Sequence, residues 1–243
     1  MKKFTVLAVV AAFVLVTGNV FALPVTPEVS GEPSLESIFN DTVTGGSIDA
    51  IKGQSEVGVW STAEALVDSY LITQYRGDNG VLGIYSKSTG AEFDFTGLAT
   101  QASFGINDAG ALYIDGVLKA ANFGDAFGFY WKNTSTPLMS YTEDAKNVAG
   151  TGYGDSNTLA LRYLVSDGLS VKTQVNGGTT VKALSNNDWI LAFEDRRFGN
   201  GDGDFNDAVF YVEDMNAVPE PGTILLLGVG LLGLLGIGRK MKK

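Results

Sequence analysis

The residues best suited to chemistry lie in one stretch, Glu194-Asp195-Arg196-Arg197-Phe198-Gly199-Asn200-Gly201-Asp202-Gly203-Asp204-Phe205-Asn206-Asp207. Apolar runs flank it on both sides, Trp189–Phe193 and Ala208–Val212. Residues 194–214 hold seven acids (194, 195, 202, 204, 207, 213 and 214) against two arginines, a local balance of −5. Carboxylates packed so closely repel one another, and a bound divalent cation offsets that repulsion. Calcium suits such a loop because it takes about 6–8 oxygens from carboxylates, amides, backbone carbonyls and water. The candidate ligands are Asp202, Asp204, Asn206, Asp207, Glu194 and Asp195. Glycines 199, 201 and 203 let the backbone curl so that its carbonyls can also face an ion. A second reading stays open: a solvated hairpin turn whose Asp and Gly serve backbone geometry alone. Arg196 and Arg197 keep it open, since either could pair with Asp202 or Asp204 and make a cation unnecessary.

Asp202-x-Asp204-x-Asn206 reproduces positions one, three and five of an EF-hand loop, with Val209 at the eighth and Glu213 at the twelfth. Position six needs glycine for its sharp turn and is Asp207, so an EF-hand is not expected. Asp155 and Asn157 form a weaker second cation candidate, while Asp108, Asp115 and Asp167 sit in tight turns that turn chemistry explains. The chain has no histidine and no cysteine. Ser-His and Cys-His nucleophiles are therefore excluded, together with the commonest transition-metal ligand. A hydrolase would need a carboxylate pair, and no spacing among the many acids selects two. The composition points to a non-enzymatic protein.

The elements that must position the acidic loop read as β-strands. Candidates are Val81–Tyr85, Ala91–Phe95, Ala111–Ile114, Phe127–Trp131, Leu159–Val165, Ser170–Val175, Trp189–Phe193 and Ala208–Val212. Between them recur Asn-Gly and Asp-Gly turns, which supply the positive φ of hairpins. This pattern predicts an all-β fold, an antiparallel, jelly-roll-like β-sandwich over residues 58–216. One short helix is expected to open at Ser61, where Ser61-Thr62-Ala63-Glu64 has the capping-box form, and to run through Tyr70-Leu71. Residues 23–57, rich in Pro, Ser, Glu and Gly, read mostly as an extended leader. Trp60, Tyr130 and Trp131, if exposed, would stack on sugar faces, which makes a carbohydrate-binding module of an exopolysaccharide or biofilm matrix the alternative function.

The two ends give the route. Met1-Lys2-Lys3, the apolar Phe4–Val16 and Val20-Phe21-Ala22 form the three parts of a secretory signal peptide over residues 1–22, cut by signal peptidase. At the other end, Thr223–Gly238 is an apolar run of 16 residues, a transmembrane helix of ~24 Å against a hydrocarbon core of ~30 Å. Five glycines weaken it, and the basic Arg239-Lys240-Met241-Lys242-Lys243 stops it on the inner side. Of the 17 Lys and Arg, six lie in these ends, so 11 face all 27 acids between residues 23 and 221 and that stretch carries −16. Such charge repels phosphate backbones and excludes nucleic acid as a partner.

Pro219-Glu220-Pro221, the apolar segment and the basic tail together resemble the PEP-CTERM sorting signal of Gram-negative bacteria. That resemblance implies recognition by an exosortase-type transpeptidase, with the last helix a transient anchor in the inner membrane before release to the cell surface or the extracellular matrix. Phe193-Glu194-Asp195 followed by Gly201-Asp202-Gly203-Asp204-Phe205-Asn206-Asp207 resembles the signature of an uncharacterised family of exported β-rich domains that often precede a PEP-CTERM signal. This second resemblance implies a fold and an ion site but no reaction.

Overall fold

The computed structural model describes residues 32–62, 66–74, 80–95, 101–136, 138–150, 152, 157–175, 178–197 and 201–218. The expected signal peptide, the sorting residues Pro219, Glu220 and Pro221, and the 223–238 helix lie outside these residues. In chain order the elements are α1 (Leu35–Thr42), β1 (Val43–Thr44), β2 (Trp60–Thr62), β3 (Val67–Thr73), β4 (Gly80–Ser86), β5 (Glu92–Asp94), β6 (Gln101–Ile106), β7 (Leu112–Ile114) and β8 (Val117–Ala120). There follow β9 (Phe127–Asn133), β10 (Met139–Tyr141), a 3-10 turn (Asp144–Lys146), β11 (Ala160–Leu164), β12 (Ser170–Val175), β13 (Gly178–Ala183), β14 (Trp189–Phe193), β15 (Ala208–Val212) and β16 (Met215–Ala217).

The strands form two antiparallel sheets. The large one runs β11-β14-β15-β3-β6-β7-β8, with β12 joined to β3 and carrying β1 and β13. The small one runs β16-β2-β9-β4-β5, with β10 beside β9. The chain crosses repeatedly between them, as a jelly-roll-like sandwich requires. The inner core holds Trp60, Phe127, Phe129 and Trp131 of the small sheet against Phe104, Trp189, Phe193 and Phe210 of the large one. Their rings meet edge-on or tilted, as in Trp60–Trp189 at 5.3 Å and Phe104–Phe127 at 5.4 Å, the arrangement that ring quadrupoles favour.

The middle of the large sheet, at β14 and β15, is buried on both faces. Along β14, Trp189, Leu191 and Phe193 enter the inner core, while Ile190 and Ala192 enter a second cluster on the outer face. That outer cluster is closed by Leu35, Ile38 and Phe39 of α1, with Val43, Ile48 and Ala50 beyond it. The stretch read as an extended leader therefore carries a helix and covers the sheet. Ser34 caps this helix, its hydroxyl accepting from the Ser37 amide at 3.2 Å, and the Phe39 ring meets Tyr163 edge-on at 5.0 Å.

The helix expected from Ser61 is not formed. Trp60–Thr62 and Val67–Thr73 are strands instead, and β3 lies between β15 and β6 in the large sheet. Val67, Tyr70 and Leu71 have helical spacing, yet pairing on both edges overrides that local signal. Trp60, Tyr130 and Trp131 are 0%, 1% and 2% exposed, so none is available to stack on a sugar. The two tryptophans belong to the inner core, and the Tyr130 hydroxyl donates to Asp94 at 2.6 Å.

Glycines on the small sheet make room for tyrosines. Gly83 pairs with Tyr130 and Gly128 with Tyr85 across β4 and β9. A β-carbon at Gly83 would overlap the Tyr130 ring, and one at Gly128 would overlap the Tyr85 hydroxyl end. Gly83→Ala and Gly128→Ala should each destabilise the protein by about 1–3 kcal/mol, measurable by chemical denaturation. Gly90→Ala should cost less, because nothing lies within 4 Å of its added carbon, although its φ of +72° carries strain.

Candidate metal centre

β14 and β15 pair in register from Trp189↔Val212 to Phe193↔Ala208, and residues 194–207 close the hairpin at one end of the sandwich. Strand burial on both faces carries this loop inward. Glu194, Asp195, Asp204, Asn206 and Asp207 are 1%, 3%, 1%, 0% and 8% exposed. The solvated-turn reading does not describe them. Several bonds fix the loop: the Glu194 amide donates to Leu159 O at 3.1 Å, and Ser140 Oγ donates to Glu194 O at 2.6 Å. Asn133 Nδ2, at the end of β9, donates to Asp195 Oδ2 at 3.2 Å.

Backbone geometry aims the acids. Gly203 and Phe205 both take the left-handed conformation, at φ 75° and 57°. The Phe205 ring is 1% exposed and packs into the outer cluster beneath α1. Burying a phenylalanine is worth about 1.5–3 kcal/mol, enough to hold a residue in a conformation that costs about 1–3 kcal/mol. The turn leaves Gly203 N donating to Glu194 Oε2 at 3.0 Å, Asn206 N to Asp204 Oδ1 at 3.2 Å, and Asp195 N to Asp207 Oδ2 at 2.8 Å.

All six sequence-derived candidates meet in this loop, but they divide. Glu194, Asp195 and Asp207 form one trio, with an oxygen from each within 4.8 Å of the others. Asp202 and Asp204 form a second trio with Glu32, by the same measure. Asn206 lies beside the second: its Nδ2 donates to Asp204 Oδ2 at 2.6 Å and to Pro33 O at 2.8 Å. Its Oδ1 is buried without a hydrogen-bond partner. Glu32 escaped the sequence reading because nothing in its Pro-, Ser- and Glu-rich surroundings distinguishes it. Arg196 does not pair with Asp202 or Asp204 as anticipated; its Nε lies 3.9 Å from Asp195 Oδ1, its side chain is 59% exposed, and its charge favours the ionised form of Glu32. Asn157, of the weaker candidate pair, accepts from Gly150 N through Oδ1 at 2.8 Å and so serves loop closure; Asp155 lies outside the described residues.

Burial and mutual repulsion push these carboxyls toward protonation. Glu194 is raised by desolvation first and then by Asp207, Asp202 and Asp204. Asp207 is raised by desolvation and then by Asp195, and Asp204 is pushed up to about 6 by desolvation, with Asp202 and Glu32 adding to it. Raised carboxyl pKa values stabilise the fold fully below the unfolded pKa of about 4 and lose that contribution as pH climbs through the folded values. In chelator, this loop should therefore contribute progressively less stability from pH 4 through pH 6 and above. A calcium ion held by these carboxyls would compete with the protons, and millimolar calcium would then flatten that decline, as read from melting temperatures at pH 5 and pH 7.

The chain matches two family models. Residues 122–214 match the domain of unknown function DUF4114, a span that includes β9 to β15 and the whole acidic loop. Residues 217–240 match the PEP-CTERM protein-sorting motif. No curated protein and no solved structure matches the chain. The segment that matches DUF4114 is thus followed directly by a match to the PEP-CTERM motif, the mark of an exported protein handled by exosortase-type machinery and held transiently at the membrane by its C-terminal tail.

Proposed function

We propose that the protein is a non-enzymatic module of the cell surface or extracellular matrix whose acidic hairpin binds calcium. The observation carrying this reading is the buried trio Glu194, Asp195 and Asp207, none more than 8% exposed, with oxygens within 4.8 Å of one another. Oxygens on opposite sides of a calcium ion, each at about 2.3–2.6 Å, lie about 4.6–5.2 Å apart. Oxygens of the trio, within 4.8 Å of one another, can therefore share one calcium shell. Three buried carboxylates are costly without a counter-charge, and a divalent cation supplies one. Calcium fits better than magnesium, which dehydrates reluctantly and prefers to keep several waters. Export favours the same choice, since extracellular calcium modules work at dissociation constants of about 0.1–1 mM.

The role that follows is mechanical. The ion would tie β14 and β15 to Asn133 and Ser140 of the small-sheet strands, through the bonds those residues already make to Asp195 and Glu194. Calorimetric titration of the full chain in detergent tests this. Binding of calcium in the micromolar to millimolar range, with magnesium at least tenfold weaker, is the expected result. Absence of binding at 5 mM calcium (roughly five times the weakest extracellular module constants) would overturn the reading.

A further inference from the structure

The second trio joins parts of the chain that the sequence keeps far apart. Asp202 and Asp204 come from the β14–β15 loop, whereas Glu32 lies two residues before Ser34, the cap of α1. Glu32 lies outside the matched 122–214 segment, so this grouping belongs to the arrangement of the whole chain. Three acids alone would be a solvated cluster. Asn206 adds an independent observation: its side chain is 0% exposed, wedged between Pro33 O and Asp204 Oδ2, and its Oδ1 has no hydrogen-bond partner. An amide oxygen buried in that position is costly unless something accepts its lone pairs, and a cation does so. Glu32, Asp202 and Asp204 bring carboxylate oxygens within 4.8 Å of one another, and the amide that Nδ2 ties to Asp204 also carries the unpartnered Oδ1, so carboxylates and an amide oxygen make up a hard-cation donor set.

We propose that Glu32, Asp202, Asp204 and Asn206 Oδ1 form a second calcium site, and that its ion straps the α1 cover onto the outer face of the large sheet. The proposal rests on the calcium reading of the hairpin but concerns a different ion. Its consequence is specific. Pro33 and Ser34 connect Glu32 directly to α1, whose Leu35, Ile38 and Phe39 seal the outer cluster over Tyr163, Val209 and Tyr211. Without the ion, Asp202 and Asp195 repel the acid at position 32, only partly offset by Arg196, and the start of the cover is held less firmly to the loop. With it, the helix is pinned at its first turn. Calcium concentration thus governs how often the apolar outer face of the sheet is uncovered.

The test uses the full chain in detergent, with calcium alone as the probe, and compares the wild type with Glu32→Gln. Calorimetry counts the ions, and hydrogen exchange read by mass spectrometry follows the amides of residues 35–42. The wild type should bind two calcium ions, and exchange in 35–42 should slow by about tenfold on calcium addition, as expected when a local opening is suppressed. Glu32→Gln should bind one ion, melt in chelator at or above the wild-type temperature, and lose the calcium response at 35–42. Glu32→Asp, which keeps the charge, should retain part of that response. A wild type that binds one ion, or a Glu32→Gln variant that still binds two or still shows calcium-dependent protection of α1, overturns the strap and leaves the hairpin site standing. No calcium binding by the wild type removes both.

Discussion

Asp207→Asn should stabilise the protein in chelator and destabilise it in calcium, so that the stability order of variant and wild type reverses. Asp207 is buried beside Glu194 and Asp195, and one oxygen accepts from Asp195 N at 2.8 Å. Asparagine keeps that acceptor and adds an amide that can donate to a neighbouring carboxylate. In the metal-free protein above pH 7 it removes one repelling charge. Each pKa unit by which the fold raises Asp207 is worth about 1.4 kcal/mol, so the gain is on the order of 1–3 kcal/mol. In calcium the same change removes a charged ligand. A protein at calcium one hundred times its dissociation constant is stabilised by about 2.7 kcal/mol, and the variant forfeits most of it. Denaturant titrations at pH 7.5, with and without calcium, read both signs. A variant less stable than wild type in both conditions would show that Asp207 serves only its hydrogen bond to Asp195.

The second large effect concerns Phe205. It lies between Asp204 and Asn206 at φ 57°, with its ring 1% exposed in the outer cluster. Phe205→Ala should cost about 3–5 kcal/mol, the range for truncating a buried aromatic. The left-handed backbone separates two contributions. Glycine adopts this conformation without penalty whereas alanine does not. Phe205→Gly should therefore be no less stable than Phe205→Ala, although it loses one more carbon and gains unfolded-state entropy. If the ring anchors the acidic loop, both variants also bind calcium more weakly, because Asp204 and Asn206 lose the support between them. Unfolding free energies with calcium titrations of the same samples check the pair. Phe205→Gly falling well below Phe205→Ala would mean that the left-handed turn is not retained in solution.

The strands were legible wherever an apolar run stood between turn signals. Ser170–Val175, Trp189–Phe193 and Ala208–Val212 occur with the bounds that their patterns suggest. β3 was not legible, because a strand buried on both faces loses the two-residue alternation; its Val67, Tyr70 and Leu71 then imitate one face of a helix. β13 is mostly exposed, and β2, β10 and β16 are three residues each, too short and mixed to rise above their surroundings. α1 was hidden by its setting among Pro, Ser and Glu, even though Leu35, Ile38 and Phe39 have helical spacing.

The candidate site was legible in its residues and illegible in its partition. Asp-x-Asp-x-Asn-Asp next to Glu-Asp marked the residues that the loop brings together, but local sequence carries no information on which carboxylates share a buried pocket. The division follows from the left-handed turns at Gly203 and Phe205, which send Asp204 and Asn206 toward Pro33 while Asp207 returns to Asp195. Glu32 joins through contacts such as Asn206 to Pro33, 173 positions apart. Such a partner is visible only once the cover is folded onto the sheet. The aromatics failed for the related reason that large rings in alternating strands are core as readily as surface, and here Trp60 and Trp131 fill the space between the sheets.

The central claim, that calcium completes the buried hairpin trio, is tested most directly by calorimetric melting of the full chain in detergent at pH 7.5, with 5 mM calcium and with chelator. Stabilisation of about 2–3 kcal/mol from calcium well above its dissociation constant corresponds to about 5–10 °C for a body of this size. The account predicts a rise of that order, specific to calcium over magnesium and largely abolished in Asp207→Asn. An unchanged melting temperature would contradict it.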